Sequence, residues 1–558
     1  MSQASVQQVP ESLPPTSARR WWFLAFFGGL ACLGLAVIWF VLPERFDVGT
    51  RRMFSFFVFV LISIAAAVWY FGLAHLPSRV RRWSAVALVL ALVAAFASVR
   101  RVEFSGDMVP TFDFRWTTDR YDQLDAHRAQ QQAPRGTAAA VASDADPAAS
   151  TRPAQWDLLD YRGPNRTGII PGPALARDWS ARPPRLAWRQ PVGGGYASFV
   201  VVGPLVITIE QRREREAIVA YDFATGRERW FYDYPALFSE TLGGDGPRAT
   251  PVIHSDKVFT LGATGVLTCL ELATGKLVWT VNILEANGSQ NIDWGMSGTP
   301  LIYDELVLVN PGAQKGTANS RSITAFDAAS GKPLWGGGTA KAGYASPDLV
   351  TLGGVRQVLL FDAGGLAAFD ATDGRELWRT PWKSDFDINA AQPVVLADDR
   401  VFISSASGSA LLEIKHEADT WDVRQIWKTP RMKCGYACPI AYQGFVYGID
   451  ENILACLDLA DGKIKWKERA GQFGHGQILL RDDLLIVLGE TGELALVEAT
   501  PEKFHELGRM QAIEGKTWNN PALVGDRIFV RNHLEMAAYD LPLAEPSPGE
   551  AAPQASKP

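Results

Sequence analysis

Hydrophobic residues are distributed in two different ways along this chain. Three uncharged apolar runs, residues 21–42, 53–73 and 83–99, occupy the first hundred positions, and arginines flank each of them. At about 1.5 Å per residue, helices of this length cross the roughly 30 Å hydrocarbon core of a membrane. No Asp, Glu, Lys, Arg or His lies inside a run. The pattern therefore predicts an anchor of three transmembrane helices without a proton or ion path.

After residue 155 the apolar residues form short runs that are separated by turns. One motif recurs there: a short strand that ends near Asp, a turn with Gly, a basic residue and then Trp. A degenerate copy ends at Trp427, another ends near Gly508, and a fragment that ends at Trp188 carries only the last strand. The five clear copies end at Trp230, Trp279, Trp335, Trp378 and Trp466.

The spacing of these copies averages about 46 residues, which is the size of a four-stranded propeller blade. Most repeats open with a proline, which fits the first residue of a strand because no ladder donor is needed there. The last repeat lacks an outer strand, whereas the Trp188 fragment is an outer strand without partners. We predict an all-β, eight-bladed β-propeller with tryptophan-docking motifs. It is closed by pairing of the Trp188 strand with the Tyr539 strand and preceded by three transmembrane helices.

Composition divides the rest of the chain. Residues 126–155 are small and polar with scattered Pro, and a similar tail follows residue 543; such segments bury too little surface to order themselves. The domains predicted are a cytoplasmic tail (1–20), the three-helix anchor (21–99), a juxtamembrane segment with a disordered linker (100–155), the propeller (156–541) and a disordered tail (542–558). Five basic residues lie on each side of the helices, so charge leaves the orientation open.

Charge and cysteine content exclude several classes of function. The formal net charge is -6, with 54 Lys and Arg against 60 Asp and Glu, so no basic field favours nucleic acid. Residues 515–517 imitate the end of a phosphate-binding loop, but Met510 replaces its first glycine, so nucleotide binding is not predicted. The five cysteines form no CxxC pair, and no metal site is predicted. Cys434 and Cys438 either pair in an oxidising compartment or remain two buried thiols.

At its tryptophan motifs the chain resembles the pyrroloquinoline-quinone-like (PQQ-like) propeller superfamily, also called quinoprotein alcohol dehydrogenase-like. The resemblance covers residues 156–541, and the segments YRGPNRTG, GDGPRATP and GKTWNNP look like one bacterial subgroup of it. The superfamily contains quinoprotein dehydrogenases of alcohols or sugars and non-enzymatic envelope proteins such as the lipoprotein of the outer-membrane barrel-assembly machinery. The resemblance to the latter branch implies a bacterial inner-membrane protein whose propeller faces the periplasm.

The residues that carry chemistry are expected on one face of the ring. Loops that lead into the first strand of each blade converge there on one mouth of the channel; we call it the top face. Asp293 and Asp387 are the candidates for a catalytic base. The candidates for cofactor or ligand binding are Arg248, Trp294, Tyr344, Asn389, Lys433, Trp518 and Asn519. A structural docking role between blades is expected for Trp188, Trp230, Trp279, Trp335, Trp378, Trp427 and Trp466.

Two functions remain open at this point. The resemblance implies, for a dehydrogenase, PQQ with Ca²⁺ and a disulfide between adjacent cysteines, but no two cysteines are adjacent and no calcium loop is present. The leading hypothesis is therefore a membrane-anchored binding or scaffold module of the bacterial envelope, whose partners are the membrane and envelope proteins at the top face. A PQQ-dependent dehydrogenase that oxidises alcohols or sugars is the alternative.

Overall fold

The computed structural model describes residues 18–41, 48–73, 77–106, 108–132 and 156–545. The chain divides into two compact units, Met1–Thr117 and Thr118–Pro558, and each is described by itself. Most of the predicted N-terminal tail, residues 1–17, lies outside the described residues.

The first unit consists of helices and one strand pair. Its helices are α1 (Ala18–Ala36), α2 (Val48–Val68) and α3 (Ser78–Ser98), and π-helical turns at Val37–Val41 and Trp69–Leu73 extend the first two. Three stretches are long and apolar enough to cross a membrane: Trp22–Val41, Thr50–Gly72 and Ser78–Ser98. Strands β1 (Val99–Phe104) and β2 (Pro110–Phe114) then form an antiparallel pair.

The second unit contains eight four-stranded antiparallel sheets arranged as the blades of a propeller, preceded by helix α4 (Arg120–Gln132) and containing the short helix α5 (Ile283–Asn287). Blade 1 is β4–β7 (Val200–Val202, Leu205–Arg212, Arg215–Asp222, Glu228–Pro235), blade 2 is β8–β11 (Val252–His254, Lys257–Leu261, Val266–Glu271, Leu277–Asn282), blade 3 is β12–β15 (Leu301–Tyr303, Leu306–Val309, Ile323–Asp327, Pro333–Gly337) and blade 4 is β16–β19 (Asp348–Leu352, Val355–Asp362, Gly365–Asp370, Glu376–Pro381). Blade 5 is β20–β23 (Val394–Leu396, Arg400–Ser405, Gly408–Glu417, Thr420–Thr429), blade 6 is β24–β27 (Ile440–Tyr442, Phe445–Asp450, Ile453–Asp458, Ile464–Gln472), blade 7 is β28–β31 (Gln477–Arg481, Leu484–Leu488, Glu493–Glu498, Glu506–Gln511) and blade 8 is β32–β34 (Ala522–Val524, Arg527–Arg531, Glu535–Asp540) with β3 (Arg185–Pro191).

Ring closure follows the prediction. Strand β3 pairs antiparallel with β34, with Leu186 opposite Tyr539 and Trp188 opposite Ala538. The predicted eight blades and the pairing of the two ends of the ring are therefore confirmed. Because the last sheet takes strands from both ends of the propeller sequence, it has four strands like the other seven blades.

The docking tryptophans lie between neighbouring blades. The ring of Trp188 lies against Gly226 of blade 1, and its Nε1 donates to the carbonyl oxygen of Phe223 at 3.0 Å. The same arrangement recurs one blade later, where Trp230 lies against Gly275. These glycines have φ near +70°, and the absence of a Cβ leaves room for the indole. Each such Trp thus connects its own blade to the turn of the next.

Two boundaries differ from the prediction. The residues expected to form a linker include α4, which ends at Gln132. Its Arg, Gln and Ala residues favour a helix, but a helix of 13 residues is marginal by itself in water. Burial of Tyr121 and Leu124 against the propeller stabilises it. At the other end, Leu543 pairs with Leu175 in an isolated bridge. The remainder of the predicted linker (133–155) and of the tail (546–558) lies outside the described residues.

Candidate functional site

Residues 156–170, which we call the plug, fill the central channel of the propeller. Leu158 exchanges backbone hydrogen bonds with Val201 of blade 1, and Ile170 donates to Leu480 of blade 7 at 2.8 Å. Between them, the Tyr161 hydroxyl lies 3.3 Å from the Cys438 sulfur before blade 6. Arg166 of the same segment also reaches the loops before blades 3 and 4, which lie across the ring from blades 7 and 8, so the plug crosses the ring axis.

Arg166 fixes the plug at the level where the first strands begin. Arg166 is 3% exposed; its guanidinium donates to the carbonyl oxygens of Pro300 (2.7 Å) and Pro347 (2.6 Å) and forms an ion pair with Asp160 at 3.0 Å. Burial raises the pKa of the neighbouring Asp348 to about 6, although the Arg166 charge opposes this shift. The plug therefore gives the channel a closed floor, stabilised by charge and backbone carbonyls.

Above the plug, aromatic rings form a continuous row on the top face. Tyr436 and Trp518 are stacked, with centroids 5.5 Å apart and planes inclined by 13°. Trp518 also contacts Tyr196 (5.3 Å), and Tyr436 meets the edge of His475 (5.1 Å). The Lys516 ammonium lies over the ring of Trp518 at 4.5 Å. These residues come from the loops before blades 1, 6, 7 and 8, so the row exists only in the closed ring.

A long loop before blade 2, residues 238–248, lies across this row; we call it the mouth loop. Its Arg248 guanidinium stacks over Phe238 (4.5 Å) and Tyr196 (5.8 Å) and donates to the Gly244 carbonyl oxygen at 3.0 Å. Burial lowers the pKa of Arg248, because the surroundings solvate the cation less well than water does. Arg248, the cation predicted at this position, therefore stabilises the mouth loop and covers the faces of the Phe238 and Tyr196 rings.

A groove of about 240 Å³ continues the site beside blades 3 and 4. It is lined in part by Asp293, Asp387, Tyr344 and Phe386, and Trp294 contacts both aromatic residues, at 5.9 Å and 6.4 Å between ring centroids. Burial raises the pKa of Tyr344, and the carboxylates of Asp293 and Asp387 raise it further. The structure thus brings together both predicted acids and two of the predicted aromatic residues.

Three other predicted ligand residues hold the loops together instead. Asn389 is buried, and its side chain donates to the Asp362 carbonyl oxygen at 2.8 Å. Asn519 is buried as well, and donates to a carbonyl oxygen of the loop before blade 1 at 2.8 Å. Lys433 forms an ion pair with Glu451 at 3.1 Å. Because these polar atoms are directed at the protein, we leave the three residues out of the proposed binding surface.

Sequence reasoning did not single out three parts of the site. The plug was visible only as the segment YRGPNRTG, and repeats give no information about a segment that lies outside them. Lys516 was considered only as part of an imitation phosphate loop. Glu490, whose carboxylate accepts from the Trp518 indole at 3.0 Å, lies in a hairpin turn of blade 7 that carries no motif.

Comparison with known proteins agrees with this architecture. The family described as "Outer membrane protein assembly factor BamB" matches residues 214–468, which run from blade 1 to blade 6 and contain all five clear copies of the tryptophan motif. Over these residues the propeller is similar to that family.

Similar curated proteins include a quinone-dependent dehydrogenase subunit and a BamB protein. The dehydrogenase subunit of "Alcohol dehydrogenase (quinone)" from Komagataeibacter europaeus is 32% identical over 120 residues, which is 21% of this chain and 16% of that protein. BamB from Burkholderia pseudomallei is 26% identical over 225 residues, 39% of this chain and 54% of that protein. The chain thus spans about one sixth of the first relative and about half of the second.

Solved structures extend the similarity over the whole ring. The quinohemoprotein alcohol dehydrogenase from Comamonas testosteroni superposes with a TM-score of 0.52 at 14% identity, covering 77% of this chain and 85% of that one. A second such enzyme, from Pseudomonas putida HK5, gives 0.51 at 13% identity, covering 73% and 83%. At such low identity the likeness shows the fold.

The polar groups of the top face do not suit PQQ, a flat quinone with three carboxylates. Arg248 and Lys516 each donate to carbonyl oxygens of the mouth loop. The Glu490, Asp293 and Asp387 carboxylates share the same face, and like charges repel. Within the described part of the chain, no three His, Cys, Asp or Glu side chains gather to hold a metal ion such as Ca²⁺.

The contacts of the plug also argue against PQQ in the central channel. The plug places the Arg162 and Arg166 side chains among the carbonyl oxygens at the starts of the first strands. Cys434 and Cys438 are buried thiols without a disulfide. The residues present therefore do not fit a channel-bound quinone, and we derive no reaction step through one.

Proposed function

We propose that this protein is a membrane-anchored PQQ-like propeller whose top face binds a partner protein of the bacterial envelope, and that it acts as a scaffold. The observation that carries the proposal is the row of aromatic rings and cations above a closed channel. Trp, Tyr and Arg are the residues that contribute most at protein interfaces, and here they lie together on one face.

The exposure of the rings supports a surface role. Tyr436 is 40% exposed and Phe386 is 78% exposed, although both contact other aromatic residues. The aromatic groups bury apolar area on contact, while Asp293 and Asp387 add charge at the edge of the groove. The opposite face carries short turns such as residues 273–275, which present little surface for recognition.

The remaining parts of the chain fit a tethered module. The three apolar helices would fix the protein in the bacterial inner membrane, with the propeller in the periplasm, as the resemblance to envelope propellers implies. The alternative, oxidation of alcohols or sugars with PQQ, has support from the quinone-dependent relatives. The poor match between the top-face charges and a tricarboxylate argues against it.

Reconstitution tests the proposal against this alternative. We expect the full-length protein in detergent, incubated with PQQ and Ca²⁺, to show neither a stoichiometric quinone absorbance after gel filtration nor reduction of an electron-accepting dye with ethanol or glucose. The same protein with the Trp518→Ala substitution serves as a background control. Stoichiometric PQQ that is retained by the unmodified protein and supports turnover would favour the dehydrogenase.

A further inference from the structure

Helix α4 contacts the mouth loop at a single buried carboxylate. Asp245 of that loop is 7% exposed. Its Oδ2 atom accepts from the Tyr121 hydroxyl at 3.2 Å and forms an ion pair with Arg120. Its other oxygen accepts from the Ser239 hydroxyl of the same loop at 2.6 Å. The carboxylate therefore connects the first turn of α4 to both ends of the loop.

Asp245 supplies the contact of the loop with α4; elsewhere the Leu242 carbonyl oxygen accepts from Lys516 of the loop before blade 8, and several other hydrogen bonds of the loop are internal. The Gly246 amide donates to Phe238 and the Gly244 amide donates to Glu240, and Arg248 donates to Gly244. Such bonds shape the loop, but they do not hold it against the ring. At its end, the Pro247 carbonyl oxygen accepts from the Tyr196 amide at 2.8 Å, so the position of the loop is coupled to the aromatic row.

The rest of α4 is fixed to blade 1. Arg128 forms a two-point ion pair with Glu228 at 3.0 and 3.2 Å, and Leu124 is 3% exposed. This part of the helix contacts the outer strand of the blade, away from the mouth loop. The first turn of α4 is thus presented to Asp245 by a firmly attached helix.

We propose that Arg120 and Tyr121 are positioning residues for the binding site: by holding Asp245 they order the mouth loop, and with it Arg248 and the neighbouring aromatic row. The inference rests on the proposed function, because it assigns to α4 the control of that same surface. Without these partners the buried Asp245 carboxylate would lose an ion pair and a hydrogen bond, which weakens the attachment of the loop to α4 and favours its opening toward water.

Hydrogen–deuterium exchange of the full-length protein in detergent tests this without any ligand. For Tyr121→Phe combined with Arg120→Gln we expect the amides of residues 239–246 to exchange about 5- to 30-fold faster, the effect of losing one to two hydrogen-bonded contacts. Amides in β5 and β6 of blade 1 should keep their rates. The matched control is Arg213→Ala, which removes the exposed ion pairs to Asp122 and Asp125 of α4 and should leave the mouth loop unchanged.

Two results would overturn the inference. Unchanged exchange of the mouth loop in the double variant would show that α4 does not order it, and a uniform increase over blade 1 would show a general structural role. Because the exchange measurement needs no partner protein, it can support the role of α4 even if the proposed partner binding is wrong. It can likewise contradict the role of α4 even if the proposed partner binding is right.

Discussion

Replacing Arg166 by methionine is expected to lower the free energy of unfolding by about 3–5 kcal/mol, because the substitution leaves the buried carbonyl oxygens of Pro300 and Pro347 without their donor and breaks the ion pair with Asp160. The side chain is 3% exposed and joins the plug to the loops before blades 3 and 4. Urea unfolding of the full-length protein in detergent, followed by tryptophan fluorescence, measures the change. The control is Arg177→Met, which lies shortly after the plug. Its side chain is 45% exposed in its ion pairs, and the substitution should cost under about 1 kcal/mol.

The decrease in the free energy of unfolding caused by Arg166→Met should also depend on pH. Burial raises the pKa of Asp348 to about 6, and the Arg166 charge lowers it, so removal of the cation raises this pKa further. An acid whose pKa is higher in the folded than in the unfolded protein stabilises the fold only while it is protonated. The Arg166→Met deficit should therefore be larger at pH 8 than at pH 5. A deficit that is equal at both values, or a cost no greater than that of Arg177→Met, contradicts the structural role of the plug.

Replacing Gly462 by alanine should be the most damaging single-methyl change in blade 6. Its φ is +71°, and an added Cβ would lie 2.8 Å from the ring of the docking residue Trp427. We expect a cost of about 2–5 kcal/mol, from the left-handed backbone (about 1–2 kcal/mol) and from overpacking (about 1–3 kcal/mol). The same urea titration measures it.

Gly444 of the same blade supplies the matched control. Its φ is +84°, but an added Cβ would meet no atom within 4 Å, so Gly444→Ala isolates the backbone contribution of about 1–2 kcal/mol. The difference between the two variants measures the steric demand of tryptophan docking. Equal costs for the two substitutions would mean that the indole can move aside and that docking contributes little.

The repeats made the ring predictable. A Trp every 46 residues or so, an orphan outer strand at residue 188 and a final repeat without one were sufficient for eight blades and for the closing pair, because both follow from strand pairing within a repeated unit. The docking geometry departs at Trp378, which donates to Gln357 of its own blade. Blade 5 has no Gly turn that could receive the Trp378 ring. This agrees with the sequence, in which the repeat that ends at Trp427 is degenerate.

The site was predictable only in part. The top face, Arg248, Trp294 and Tyr344 follow from loops that converge at one mouth. The plug and α4 could not be found in this way, since both lie outside the repeats and their contacts join residues far apart in sequence, such as Arg120 with Asp245. Asn389 and Asn519 were assigned to the binding surface because they lie in the right loops, but sequence gave no indication that their amides are directed inward.

Site-specific photocrosslinking in living cells tests the central claim most directly. The full-length protein would carry a photoreactive phenylalanine analogue at Phe386 or Tyr436 on the top face, or at the exposed Lys276 on the opposite face. We expect a discrete protein adduct from positions 386 and 436, its loss from position 386 when Trp518→Ala is also present, and no adduct from position 276. An adduct that forms only at position 276, or that persists unchanged with Trp518→Ala, would contradict a partner-binding site on the aromatic row.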